Sequence, residues 1–208
     1  MLLYLTAIAS AVSIGLEEAY PLWALSSYDV GGLEWNTIEI GKVLACTGVG
    51  MTIFQLFVYN WLVKKIGIVK MQTRASYLVI LMYLALPNVK YMSWNDSSLR
   101  VVSVVVMTIL LSCSSAISVG MALASTSPVP PHVRGKLSGL FIMSQSLGRA
   151  TGPMAWATMY AWSVSSSSAG VAVMPLVGYR LVFNISALLM GVVALLSHQT
   201  LTFNTMTK

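Results

Sequence analysis

Apolar residues run along this chain in six long stretches separated by short polar clusters. The stretches cover 2–26, 38–63, 72–89, 101–126, 137–162 and 176–197. Within them the apolar positions are continuous rather than alternating, which predicts helices and not the strands of a barrel. Crossing the ~30 Å hydrocarbon core of a bilayer takes about 20 helical residues, and five of the stretches reach that length. The third is marginal: its uninterrupted apolar run covers only 75–86, so Arg74 must reach back to the interface for it to span. The expected fold is therefore all-α, a multi-pass integral membrane protein of about six transmembrane helices over 1–200, with a cytoplasmic tail at 201–208.

The breaks between stretches carry turn chemistry. Asp29-Val-Gly-Gly lies between the first two, Asn95-Asp-Ser-Ser before the fourth and Ser127-Pro-Val-Pro-Pro after it. A serine tract from Ser163 precedes the sixth and is expected to be a flexible loop. Charge then orients the helices. One set of connections holds Lys64, Lys65, Lys70, Arg74, Arg134, Lys136 and Lys208, while the other holds Lys42, Lys90, Arg100 and Arg180. Seven basic residues against four place the first set, and both termini, in the cytoplasm. Trp23, Trp35, Trp94 and Trp162 then fall near the outer boundary and Trp61 near the inner one, as an aromatic belt would.

Composition strengthens this picture. The 208 residues are 57% hydrophobic and only 9% charged, with a mean hydropathy of +0.79; soluble domains carry roughly 25% charged residues. The net charge of +6 comes from scattered basic residues that form no stripe, so no nucleic-acid partner is expected. Cys46 and Cys113 lie inside apolar stretches without metal-ligand spacing, and His132 and His198 fall in a loop and at a helix end. There is no His-Glu-x-x-His zinc site, no Gly-x-Ser-x-Gly elbow and no phosphate-binding glycine loop. Neither an enzyme nor a cofactor or metal site is expected. Met1 leads straight into Leu-Leu-Tyr-Leu with no basic region before it, as expected of a chain that starts inside a span and is a piece of a longer one.

Polar residues deep in a span are expensive in lipid and are the candidates for function. Glu17, Glu18 and Arg149 are the charged ones. Helical spacing puts Thr6, Ser10, Ser13 and Glu17 on one face of the first span, and Ser138, Gln145 and Arg149 on one face of the fifth. Gln55 joins Gly48 and Thr52 on the second, and Thr108, Ser112 and Ser115 share a face of the fourth. At ~1.5 Å per residue, Glu17 lies roughly 22 Å and Arg149 roughly 18 Å from the cytoplasmic ends of their spans, and Gln55 and Gln145 about 12 Å. Spans one, two, four and five are thus expected to surround a polar pathway, with spans three and six facing lipid. Other roles stay open. Glu17 and Glu18 suit the outer water layer if the first span ends early, and Arg149 suits a structural pair with a glutamate. Gln55 and Gln145 suit bonds to neighbouring helices, and Gly148 and Gly152, four apart, suit close helix packing.

Several segments resemble a known family. Glu18-Ala-Tyr-Pro-Leu-Trp, Gly31-Gly-Leu-Glu-Trp and Ile40-Gly-Lys look like the seventh-to-eighth helix region of a major facilitator superfamily transporter. Gln55 and Trp61-Leu-Val-Lys-Lys-Ile-Gly67 resemble the end of the eighth helix and its basic turn. Val129-Pro-Pro-His-Val-Arg-Gly-Lys-Leu-Ser-Gly139, continuing to Ser146-Leu-Gly-Arg-Ala-Thr-Gly-Pro153, is similar to the region of the tenth and eleventh helices in zinc-induced-facilitator-like and drug:proton antiporter families. The Gly-x-x-x-Asp-Arg-x-Gly-type motif of that superfamily's N-terminal half is absent. The resemblance implies a C-terminal six-helix half that moves a small solute or ion by alternating access, with or without proton coupling, against a matching N-terminal half or a second copy. The alternative is a membrane interaction or regulatory protein derived from such a half. Plasma membrane and vacuolar membrane are not distinguished.

Overall fold

The computed structural model describes residues 2–92, 95–126, 129–168 and 178–206. Among them the backbone is helical almost throughout. The first stretch is α1 (Leu2–Leu25). The second is one rod made of α2 (Thr37–Ile53), a π turn (Phe54–Tyr59) and α3 (Asn60–Ile66). The third comprises α4 (Ile68–Ala85), a 3-10 turn (Leu86–Asn88) and the short α5 (Val89–Met92). The last three are α6 (Asp96–Thr126), α7 (Pro131–Ser168) and α8 (Arg180–Met206).

Local chemistry sets the ends. Asn36 caps α2 by accepting from the Ile38 amide, and Glu39 returns a bond to the Asn36 amide at 3.2 Å, a reciprocal capping box. Pro131 opens α7, where its missing N–H costs nothing. Gly67, with φ +86, breaks α3 from α4 at the basic turn. Besides helix starts that fall earlier than expected, at Asp96 and Pro131, two boundaries change the kind of structure from the sequence expectation. The serine tract continues α7 through Ser168 instead of forming a loop, because helical serines satisfy their hydroxyls on the preceding turn, as Ser163 and Ser165 do. The helix α8 also continues through Met206, into the expected tail. Residues 176–177 of the sixth stretch, Trp94 and Lys208 lie outside the described residues.

The helices pack in pairs related by exchanging the first three stretches for the last three. Contact of α1 with α7 is matched by α6 with α2, and contact of α4 with α6 by α8 with α1; α4 and α8 meet each other. Lipid offers no hydrophobic gain for helices that associate within it, so close fit and polar contacts must hold them. The centre supplies both. Trp23 is fully buried, stacks edge-on against Phe183 at 5.5 Å and donates its indole N–H to the Gly31 carbonyl at 3.1 Å. Trp156 donates to Ser186 Oγ at 2.8 Å, tying α7 to α8. Trp23 and Trp35 are thus core residues and not part of an outer belt, whereas Trp61 and Trp162 are exposed.

Three elements are long and apolar enough to cross a membrane by length and composition: Thr37–Ile66, Asp96–Leu123 and Arg180–Gln199. The other three long helices carry Glu17 and Glu18, Lys70 and Arg74, and Arg149. The outer faces of α4 and α8 are apolar and exposed at Leu81, Leu84, Leu188, Val192 and Leu195. The inner face of α4 is not: it buries Gln72, Ser76 and Tyr83.

Candidate functional site

Serines at 10 and 13 and a glutamate at 17 follow helical spacing, so α1 turns all three the same way. They open onto a cavity of about 360 Å³. The facing wall is α6, with Ser114, Ser115 and Ser118, and α7 closes the side with Gln145 and Arg149. Met51 is the contribution of α2. In a chain this apolar, eight polar side chains converging on one space are the chief exception to its composition.

The packing of α7 on α1 places the charged groups. A Cβ added at Gly148 would lie 2.2 Å from the Ala7 carbonyl oxygen, and one at Gly152 2.5 Å from that of Ala11. No side chain larger than hydrogen fits there, so the two backbones run in contact. Ser144, on the same stripe, donates to the Leu3 carbonyl. Because Gln145 and Arg149 each follow a residue of this stripe, the close approach delivers them to the edge of the Ser10–Ser13–Glu17 face.

Glu17 is half-buried and Arg149 exposed; both line the cavity and interact electrostatically. No direct ion pair joins them among the described residues. Glu18, about 100° further round the helix, is exposed and is not part of the wall. Gln55 does not line the cavity; it donates its amide to Ser115, a wall residue, and so touches the site through that residue. Thr6 is buried below the site and donates to Met121 Sδ at 3.8 Å. Ser114 and Ser118 are wall residues beyond those the sequence singled out, and their own spacing of four in an apolar run was the available signal. Among the described residues no group of three His, Cys, Asp or Glu side chains converges, and Cys46 and Cys113 are free thiols.

Comparison with known proteins gives this cavity a context. The chain is 31% identical over 146 residues to the zinc induced facilitator 1 protein of Arabidopsis thaliana, covering 70% of this chain and 30% of that one. It is 30% identical over 166 residues to zinc induced facilitator-like 1 of the same plant, covering 80% and 34%. It is 27% identical over 154 residues to a probable peptide/nitrate transporter of Arabidopsis thaliana, covering 74% and 31%. This chain is related to transporters of the zinc-induced-facilitator type. It is an integral membrane protein, and the major facilitator resemblance seen in its motifs holds over most of its length. The chain spans about a third of the length of these relatives. No protein-family model and no solved structure matches it.

Proposed function

We propose that this chain is the C-terminal half of a secondary transporter that moves a small solute by alternating access through the cavity between α1, α2, α6 and α7. The observation that carries the reading is the placement of Glu17 and Arg149 on two closely packed helices at the wall of one polar space. Charges so placed are costly in lipid and are kept where solute or protons pass. All six long helices cross the bilayer on this reading, including α1, α4 and α7: Glu17 and Arg149 face the cavity, Glu18 lies exposed toward the outer end of α1, and the remaining charges lie near the cytoplasmic turns. The protein carries out no covalent chemistry.

A partner half is part of the proposal. Exposed apolar side chains run along the second rod at Val49, Ile53, Leu56 and Phe57, and along α7 at Ile142, Met143, Leu147 and Met154. These are the two elements related by the internal exchange of stretches, and they flank the cavity. A matching N-terminal half, or a second copy, resting on both would close the pathway between the two halves. The cavity wall offers a carboxylate, a guanidinium and several hydroxyls, so it suits small polar solutes.

The test is uptake by this chain together with the half that completes its pathway, in lipid vesicles under an imposed pH gradient. Nitrate, a dipeptide and a zinc salt are the first solutes, following the names of the relatives. Glu17→Gln and Arg149→Gln are each expected to abolish uptake or displace its pH profile while the folded protein is recovered at normal yield. Uptake with an unchanged profile in both variants would sink the proposal.

A further inference from the structure

Tyr83 belongs to α4, the third stretch, whose apolar sequence gave no reason to connect it with the cavity. Its side chain is fully buried. Its hydroxyl is directed at Ser114 of α6 and Ser13 of α1, yet among the described residues it completes no hydrogen bond, and neither does Ser114 Oγ. Ser13 and Ser114 are both cavity wall residues, and Glu17, one turn above Ser13, acts electrostatically on the Tyr83 hydroxyl. The ring thus reaches from α4 between α1 and α6 and brings its polar tip to the back of the site.

A buried hydroxyl without a partner is unfavourable, and a buried water typically makes about three hydrogen bonds to such groups. The donors and acceptors here suit one: the Tyr83 hydroxyl, Ser114 Oγ, Ser13 Oγ and the Glu17 carboxyl. Tyr20 separates this arrangement from ordinary packing. It is also fully buried with an unpartnered hydroxyl, but it faces Ser103, and neither residue lines the cavity.

We propose that Tyr83 is a positioning residue of the cavity, holding with Ser13 and Ser114 a single water against Glu17 and thereby fixing the hydrogen bonding of that carboxyl. Arg149 from α7 and Glu18 on its own helix act on Glu17 directly, Tyr83 from α4 would reach it through the water, and α6 faces it with serines. The inference rests on the reading of the cavity as the pathway, and its test needs no solute.

The experiment is infrared absorption of the protein in lipid vesicles across a pH series. Glu17→Gln identifies the band of the Glu17 side chain as the one it removes. Tyr83→Phe keeps the ring and deletes the hydroxyl, and is expected to shift that band, to higher wavenumber where the carboxyl is protonated. Ser114→Ala is expected to shift it in the same direction and serves alone if Tyr83→Phe does not fold. Tyr20→Phe is expected to leave it in place. An unmoved band in Tyr83→Phe and Ser114→Ala, or an equal shift in Tyr20→Phe, overturns the proposal. An unmoved band while Glu17→Gln abolishes uptake would remove the Tyr83 role alone, whereas normal uptake by Glu17→Gln and Arg149→Gln removes the pathway reading.

Discussion

Gly152 of α7 lies against Ala11 of α1 so closely that a Cβ on the glycine would sit 2.5 Å from the Ala11 carbonyl oxygen and 3.0 Å from its Cα. The obstacle is backbone, which cannot rotate aside as a side chain can. Gly148, one turn earlier, meets Ala7 and Ala11 in the same way. Overpacking a core typically costs about 1–3 kcal/mol, and a contact with backbone along a whole helix pair falls at or above the top of that range. Gly148→Leu and Gly152→Leu are therefore expected to lower the unfolding temperature in detergent or to prevent folding. Tyr77→Leu, on the exposed face of α4, is expected to leave it within a degree or two. Equal tolerance at the three positions would show that α1 and α7 do not pack this closely.

How much of this was readable beforehand depended on whether a residue's meaning was local. The polar faces of α1 and α7 were readable because spacing alone decides which side chains share a helix face, whatever lies opposite. The glycine pair was readable for the same reason. Tyr83 was not, since a tyrosine in an apolar run is the same symbol whether its hydroxyl meets a cavity, a neighbour or the interface. Depth along the chain points Trp23 and Trp35 to a boundary, whereas the burial of Trp23 follows from the turn at Gly31, whose carbonyl its indole reaches only when the chain folds back. Composition points the serine tract to a loop, but serine's hydroxyl can bond its own helix.

The orientation rests on lysine and arginine asymmetry and has a direct check. In a background with the exposed Cys46 replaced, single cysteines at Ser165 and Lys65 are expected to label from opposite sides of the membrane; both positions are exposed. An impermeant maleimide added outside should modify Ser165→Cys and spare Lys65→Cys until the membrane is opened. The reverse pattern would invert the topology and with it the side from which the cavity fills.

Glu39 does two jobs at the start of α2. One carboxylate oxygen completes the cap with the Asn36 amide, and the other pairs with Arg100 at the start of α6 at 3.0 Å. The pair is partly exposed, with about a third of each side chain in solvent, so it is worth only about 0.2–1 kcal/mol and weakens with salt. Loss of an N-cap side chain typically costs about 1 kcal/mol whatever the salt. Asn36→Ala is thus expected to destabilise more than Arg100→Ala, and only the Arg100 effect should shrink in molar sodium chloride. Thermal unfolding at two ionic strengths checks both statements, and a larger, salt-resistant loss from Arg100→Ala would contradict them.

The last expectation concerns the π turn in the second rod. Above it, α2 packs on α6: a Cβ at Gly50 would lie 2.7 Å from Thr108 Cγ2. Below it, α3 has no buried residue and carries Lys64 and Lys65. Gln55 sits within the turn itself, and its bond to Ser115 is the polar tie between this rod and α6 at that level. A π turn replaces the i→i−4 ladder locally with wider i→i+5 bonding, and such turns are frequent at functional sites. Beyond it the segment from Phe54 to Ile66 is held only by partly buried apolar contacts, of Phe54, Tyr59, Leu62 and Val63 with the core, so Gln55 is its main polar tie among the described residues. Polar side-chain bonds between membrane helices average about 0.6 kcal/mol, so Gln55→Leu should leave overall stability nearly unchanged. Its effect should be local: faster amide hydrogen exchange in α3, matched by Ser115→Ala and not increased further in the double variant. Additive effects of the two substitutions would mean that the bond is not what holds the rod.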